Sequence, residues 1–188
     1  MMAVVLVPVG SFEQHGPHLP FETDLIVAKS VAREVALRLG LKVGPSINVG
    51  VSIEHMDFAG TRTLSTEEFK KRISGVAEEY GDVVFINGHG GNNKYLRELS
   101  VKHVNLTSLF KPYDHAGEIE TSLMLYLRPE LVKEKEIRKH EFSWPKADGW
   151  KTIDYSKSGV LGDPTKASKE KGEEYFKALV EKTIQALK

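Results

Sequence analysis

The sequence predicts an α/β domain in which a parallel or mostly parallel sheet lies between helical layers. Two observations predict this. Short continuous apolar runs, AVVLVPV at 3–9 and DVVFIN at 82–87, are rich in valine and read as strands buried on both faces. Between such runs lie longer stretches with apolar residues at helical spacing. Strands alternating with helices build a parallel sheet through crossover connections.

The elements follow in order. Residues 3–9 form the first strand, and a long loop leads to LIVAKSVAREVALRLG at 25–40. That stretch sets Ile26, Val27, Val31, Val35 and Leu39 at helical spacing and ends on Gly40, a C-terminal stop. LKVGPSINVGV at 41–51 reads as a second strand with its loop. Ser65 followed by Glu68 is a capping box for a helix that stops before Gly81. DVVFIN is the third strand, GHGGNN its turn, and KYLRELSVKH at 94–103 a helix. VNLTSLF at 104–110 is the fourth strand, followed by the loop KPYDHAGEIE and a helix TSLMLYLR at 121–128 that Pro129 ends. Residues 133–158 are polar and patternless, punctuated by Trp144, Pro145 and Trp150, and read as an irregular excursion able to serve as a lid. The tail places Phe176, Leu179, Val180, Thr183, Ile184 and Leu187 on one face of a closing helix. No repeat or linker interrupts this order, so residues 1–188 are expected to form a single domain.

Composition narrows the function. Lys plus Arg (26) balances Asp plus Glu (26), so no global positive field exists to hold nucleic acid or an anionic membrane surface. A small neutral or weakly charged ligand fits better. There is no cysteine, which leaves His, Asp and Glu as the strong metal ligands. The opening MMAVVLVPVG has no basic segment and too few apolar residues for a signal peptide, and no segment reaches membrane-spanning length, so the cytoplasm is the expected location.

Metal-competent residues gather in three segments, each after an expected strand: EQHGPHLPFETD, NGHGGNN and HAGEIETS. In open α/β sheets the ligand crevice lies beyond the carboxyl ends of the strands, so these segments can converge there. The first loop, residues 10–24, far exceeds the usual connection of about two to six residues. Pro17 and Pro20 stiffen it, which suits a loop that must hold Glu13 and His15 rigidly. The bland alternative leaves Glu13, His18 and Glu22 solvated and makes Asp24 a helix cap; for Asp24 alone the cap is preferred, but it leaves the other residues unexplained. The glycines of NGHGGN suit anion binding or an ordinary turn, although His89 and the lack of a lysine favour coordination. Glu118 and Glu120 can equally be first-turn helix charges. His55, His103 and His140 stand apart from the cluster, and the last two are expected to be structural or surface residues.

These residues resemble the creatininase (creatinine amidohydrolase) family. PVGSFEQHGPHLPFETD is similar to its signature loop, EHMDFAGTRTL to its second, INGHGGNN to its third, HAGEIETS to its fourth, and GVLGDPTKASKEKG to its C-terminal motif, in the family's order. The resemblance implies a three-layer α/β/α hydrolase carrying two divalent metal ions, Zn, Mn or Fe. By motif, Glu13, Asp24 and His89 would bind one ion and His15 and Asp24 the other, with Asp24 bridging. Glu120 would be a further ligand with a catalytic part, and His115 an acid or base. His55, Gly90, Gly91 and Asn92 would face the substrate. The implied reaction is hydrolysis of a C–N bond in a small cyclic or formyl amide by metal-activated water. Alternatives are deformylation of a pyrimidine nucleotide in flavin or deazaflavin biosynthesis, and a catalytically silent metabolite-binding protein. Self-association, as a hexamer in many relatives, is expected too. Creatininase itself has an acidic ligand two residues after the histidine of the third loop, where this chain has Gly91. It also has tryptophans just before the histidine of the fourth, where this chain has Lys111, Pro112, Tyr113 and Asp114.

Overall fold

Four parallel strands, β1 (Val5–Val9), β2 (Lys42–Val43), β3 (Val83–Asn87) and β4 (His103–Asn105), hydrogen-bond in the order β2-β1-β3-β4. The computed structural model describes residues 4–110, 113–146 and 149–188. Residue 3 of the expected first strand, Lys111 and Pro112 of the fourth loop, and residues 147–148 of the excursion lie outside the described residues.

The strands are apolar along their whole length because both faces are covered. Leu6, Val84, Ile86 and Val104 point to one side, where they pack on α1 (Thr23–Leu39), α4 (Glu118–Leu127) and α6 (Lys169–Ala186) through Val31, Val35, Leu123, Leu179 and Val180. Val5, Val7, Val9, Val83 and Phe85 point to the other, against Phe69 and Ile73 of α2 (Thr66–Tyr80) and Leu96 of α3 (Asn93–Glu98). Alternation along each strand thus feeds two cores, and each fully buried Leu, Ile or Phe contributes about 1.5–3 kcal/mol. The three-layer α/β/α expectation holds.

Local signals set the element ends. Ser65 Oγ accepts from the Glu68 N–H while Glu68 Oε2 accepts from the Ser65 N–H, the reciprocal box expected for α2. Gly40 closes α1 in the left-handed region at φ 65°, where glycine bears no Cβ penalty. On the far side of the sheet, α6 lies so close to α4 that a β-carbon at Gly172 would overlap the Ser122 carbonyl.

Several boundaries differ from expectation. The second strand is two residues long, not the run 41–51, because Gly44 and Pro45 interrupt it; Ile47 rejoins β1 through a single bridge to Val9. α3 stops at Glu98, since Ser100 takes φ 53°, incompatible with a helix continuing to 103. β4 is three residues and turns into a 3-10 segment at Leu106–Ser108, while α4 begins at Glu118. Within the excursion, Glu134–Glu136 forms a 3-10 turn and Thr152–Tyr155 a short helix, α5.

Strand order reverses between β1 and β3, and the segments following these two strands diverge there to open a crevice. The first and third loops leave the sheet at that point.

Candidate metal centre

Glu13 and His15 follow β1, Asp24 sits in the first turn of α1, His89 follows β3, and Glu120 sits in the first turn of α4. A β-carbon at Gly88 would run into the backbone of Asp24, so glycine lets β3 end directly beneath the start of α1. Asp24 therefore meets both loops. Its Oδ1 lies 3.2 Å from His15 Nε2 and its Oδ2 3.2 Å from His89 Nδ1. Glu13 Oε1 lies 3.2 Å from the same His89 nitrogen, and Glu120 Oε2 lies 3.6 Å from His15 Nε2. Two donor sets that share Asp24 result, Glu13/Asp24/His89 and His15/Asp24/Glu120, and His115 joins Glu13 and His15 in a third, each with its ligand atoms within 4.8 Å of one another.

Backbone carbonyls fix which imidazole nitrogen faces inward. His15 Nδ1 donates to the Glu13 carbonyl at 3.0 Å, so Nε2 is the nitrogen turned toward Asp24 and Glu120. His89 Nε2 donates to the Val51 carbonyl at 2.9 Å, so Nδ1 is the nitrogen turned toward Glu13 and Asp24. Outer hydrogen bonds of this kind orient metal-binding histidines.

Three carboxylates are buried together at this point. Glu13, Asp24 and Glu120 are 1%, 4% and 3% exposed, and no lysine or arginine lies against them among the described residues. Burial disfavours charge on the imidazoles, yet Asp24 and Glu120 hold His15 up to about 10, and Glu13 and Asp24 hold His89 well above the usual histidine range. Burial, only partly offset by His15, pushes Glu120 up to about 8. Protons thus gather where bare carboxylates would otherwise repel. Glu13 Oε2 is buried without a hydrogen-bond partner among the described residues. Nitrogen and oxygen donors around two sites that share one carboxylate fit a pair of divalent ions such as Zn or Mn.

Two further histidines, His115 and His55, approach these donors. His115 Nε2 lies 2.9 Å from the Gln14 carbonyl, and its Nδ1 faces Glu13 and Glu120 at 3.9 and 4.0 Å. Burial, with His15 and His55 nearby, holds His115 well below the ordinary value, so it is neutral. The loop that carries it is strained: Ala116 takes φ 51°, and its N–H donates to Glu120 Oε2 at 2.6 Å. His55 is brought in as well, correcting its expected separation from the cluster. Its Nε2 lies 3.3 Å from Glu13 Oε1, and its Nδ1 meets Gln14 Nε2 at 2.9 Å and Thr152 Oγ1 at 3.0 Å. Over the centre opens a cavity of about 400 Å³ lined by His55, Gly90, Gly91, Tyr113, His115, Trp144 and Trp150, among others.

Other expectations need correction. Asp24 is not a helix cap: it lies inside α1, takes a hydrogen bond from Ser11 Oγ at 2.7 Å, and turns both oxygens to the centre. Asn92 does not face the cavity. Its fully buried amide accepts from the Val51 N–H and donates to the Gly10 carbonyl and Asn87 Oδ1, which ties the three loops together instead. His18 is buried rather than solvated, with Nε2 2.8 Å from Thr121 Oγ1. Glu118 turns outward to Lys171 and Tyr175, so of the two first-turn glutamates only Glu120 enters the centre. His103, bonded to Val101 and Asn93, stays outside. Sequence reasoning missed Gln14, whose side-chain N–H group reaches His55, His115 and the Gly159 carbonyl; its place between Glu13 and His15 was the available signal.

A family model described as creatinine amidohydrolase matches residues 1–187. The chain belongs to the creatininase family. A mycofactocin precursor peptide peptidase from Mycobacterium ulcerans is 32% identical, over 97% of this chain and 84% of the relative. Creatinine amidohydrolase from Pseudomonas putida is 26% identical, over 98% of this chain and 88% of the relative. Among solved structures, a mutant creatininase of Zn-Zn type superposes with a TM-score of 0.86 at 26% identity, covering 99% of this chain and 90% of that one. As a creatininase-family member the chain is a hydrolase of C–N amide bonds, and the family is metal-dependent.

Proposed function

We propose that the protein is a binuclear-metal amidohydrolase cleaving the C–N bond of a small cyclic or formyl amide. The observation that carries this reading is Asp24, whose two oxygens face the histidines of two separate donor sets. In it, Glu13, Asp24 and His89 would hold one ion, and His15, Asp24 and Glu120 the other. Divalent ions held there would supply a water acidified to a pKa of about 7 and would polarise the amide carbonyl.

The chain's own residues do the rest. His115, neutral and with Nδ1 turned to the centre, accepts a proton and returns it to the departing nitrogen. Gln14 keeps His115 and His55 in register by touching both. Trp144 and Trp150 wall the cavity and limit water, while His55, Gly90 and Gly91 contact the substrate.

No helix among the described residues is long and apolar enough to cross a membrane, and a cytoplasmic place belongs to the same reading. So does homo-oligomerisation, which the family resemblance leads one to expect.

Metal analysis of protein purified without chelator tests the reading, combined with turnover of cyclic amides, formamides and short peptides. Two ions per chain and chelator-sensitive hydrolysis are expected. Less than one ion per chain, not restored by Zn, Mn or Fe, would overturn it.

A further inference from the structure

The cavity over the centre has a wall that amide hydrolysis does not require. Glu54, in the 3-10 turn Ile53–His55, lines it together with Trp144, Pro145 and Trp150. Its side chain is 19% exposed, and its nearest ionisable neighbour among the described residues is His89 Nε2 at 3.6 Å. That nitrogen already gives its proton to the Val51 carbonyl, so Glu54 keeps its acceptor capacity for something else.

Two further features support an occupant of positive charge. Asp114 lines the same cavity; its Oδ2 accepts from the Ile119 N–H, but its buried Oδ1 has no hydrogen-bond partner among the described residues. No lysine or arginine lines the cavity among the described residues. The carboxylates of Glu54 and Asp114 are therefore additional to Glu13, Asp24 and Glu120, which would hold the ions. Tryptophan surfaces beside a carboxylate attract a cation twice, through the ring quadrupole and through charge. A β-carbon at Gly91 would run first into His89 Nε2 and the Val51 carbonyl and would also come within 2.9 Å of Glu54 Oε1, so the glycine leaves this whole contact group, Glu54 included, its position.

We propose that Glu54 determines specificity in this cavity and that the amide substrate carries a cationic nitrogen group, an ammonium, amidinium or guanidinium, which Glu54 receives beside Trp144 and Trp150. The proposal rests on the hydrolase reading only in taking the occupant to be the substrate. A phosphate-bearing substrate would meet carboxylates where it needs donors.

Binding of benzamidine and of its uncharged isostere acetophenone to the zinc-loaded protein, followed by calorimetry, tests this without any turnover. Benzamidine should bind roughly ten-fold more tightly. In Glu54→Gln that preference should vanish while zinc content stays at the parent level, and Glu54→Asp should recover part of it. A general loss of packing would weaken both compounds alike. Equal binding of the two by the parent protein, or a preference unchanged in Glu54→Gln, overturns the proposal. Cation preference without hydrolysis of any amide would remove the hydrolase reading and leave Glu54's role standing; hydrolysis without cation preference would do the reverse.

Discussion

His15 Nε2 lies 3.2 Å from Asp24 Oδ1, so a loop after the first strand and the helix it leads into meet at one buried contact. The second oxygen of Asp24 faces His89 from a different strand. Asparagine keeps the shape but removes the charge and one of the two acceptor oxygens. Asp24→Asn is expected to fold, to lose at least one metal ion, and to lose more than about 100-fold in amide hydrolysis, a loss that even outer-sphere partners can cause. Full metal content with near-parent turnover would remove the bridging role.

Gln14 touches His55 and His115 without belonging to any donor set. Gln14→Leu should leave metal content near the parent value and lower kcat by about 10- to 100-fold, with a smaller change in KM. Steady-state kinetics beside elemental analysis separates this from metal loss. An unaltered kcat would show that the histidines hold their places unaided.

Burial, reinforced by His140 and His15, lowers His18 to about 4 from 6.5. The unfolded chain therefore takes up this proton first on acidification. His18's contribution is complete above pH 6.5 and is lost as pH falls toward 4, at up to about 1.4 kcal/mol per pH unit. His18→Gln should flatten the fall of Tm across that window relative to the parent. Parallel Tm curves for the two proteins would refute the buried neutral state.

Gly172 lets α6 approach the Ser122 carbonyl of α4. Gly172→Ala must push the helices apart, and it should destabilise by about 1–3 kcal/mol in chemical denaturation. Because Glu120 rides on α4, affinity for a divalent ion at His15, Asp24 and Glu120 should fall as well. A variant as stable as the parent would mean that the two helices can slide freely.

The parts of the fold legible in the sequence are those where one local signal suffices. Valine runs mark β1 and β3, and Gly40 and the Ser65–Glu68 box mark helix ends. β2 was harder, because two exposed residues on a sheet edge carry no apolar run. Glu13, His15, Asp24 and His89 stood out through residue type and position after strands. His55 did not, since only the folding of the second loop across the sheet end, fixed by Thr152 and Gln14, brings it to Glu13. Asn92 misled for a related reason: its motif is the same whether the amide faces a ligand or ties backbone segments together.

The pairing of Val9 with Asn87 sets how far each loop extends beyond the sheet. One residue advances a strand by about 3.3 Å and turns every side chain to the opposite face. A slip of a single position would thus displace His89 by as much as the 3.2 Å now separating it from Glu13. A misregistered chain would be blind to the ion. Uptake of a coloured ion such as cobalt would then report strand alignment during refolding, with the metal serving as a gauge of whether the ladder has closed on the correct rung.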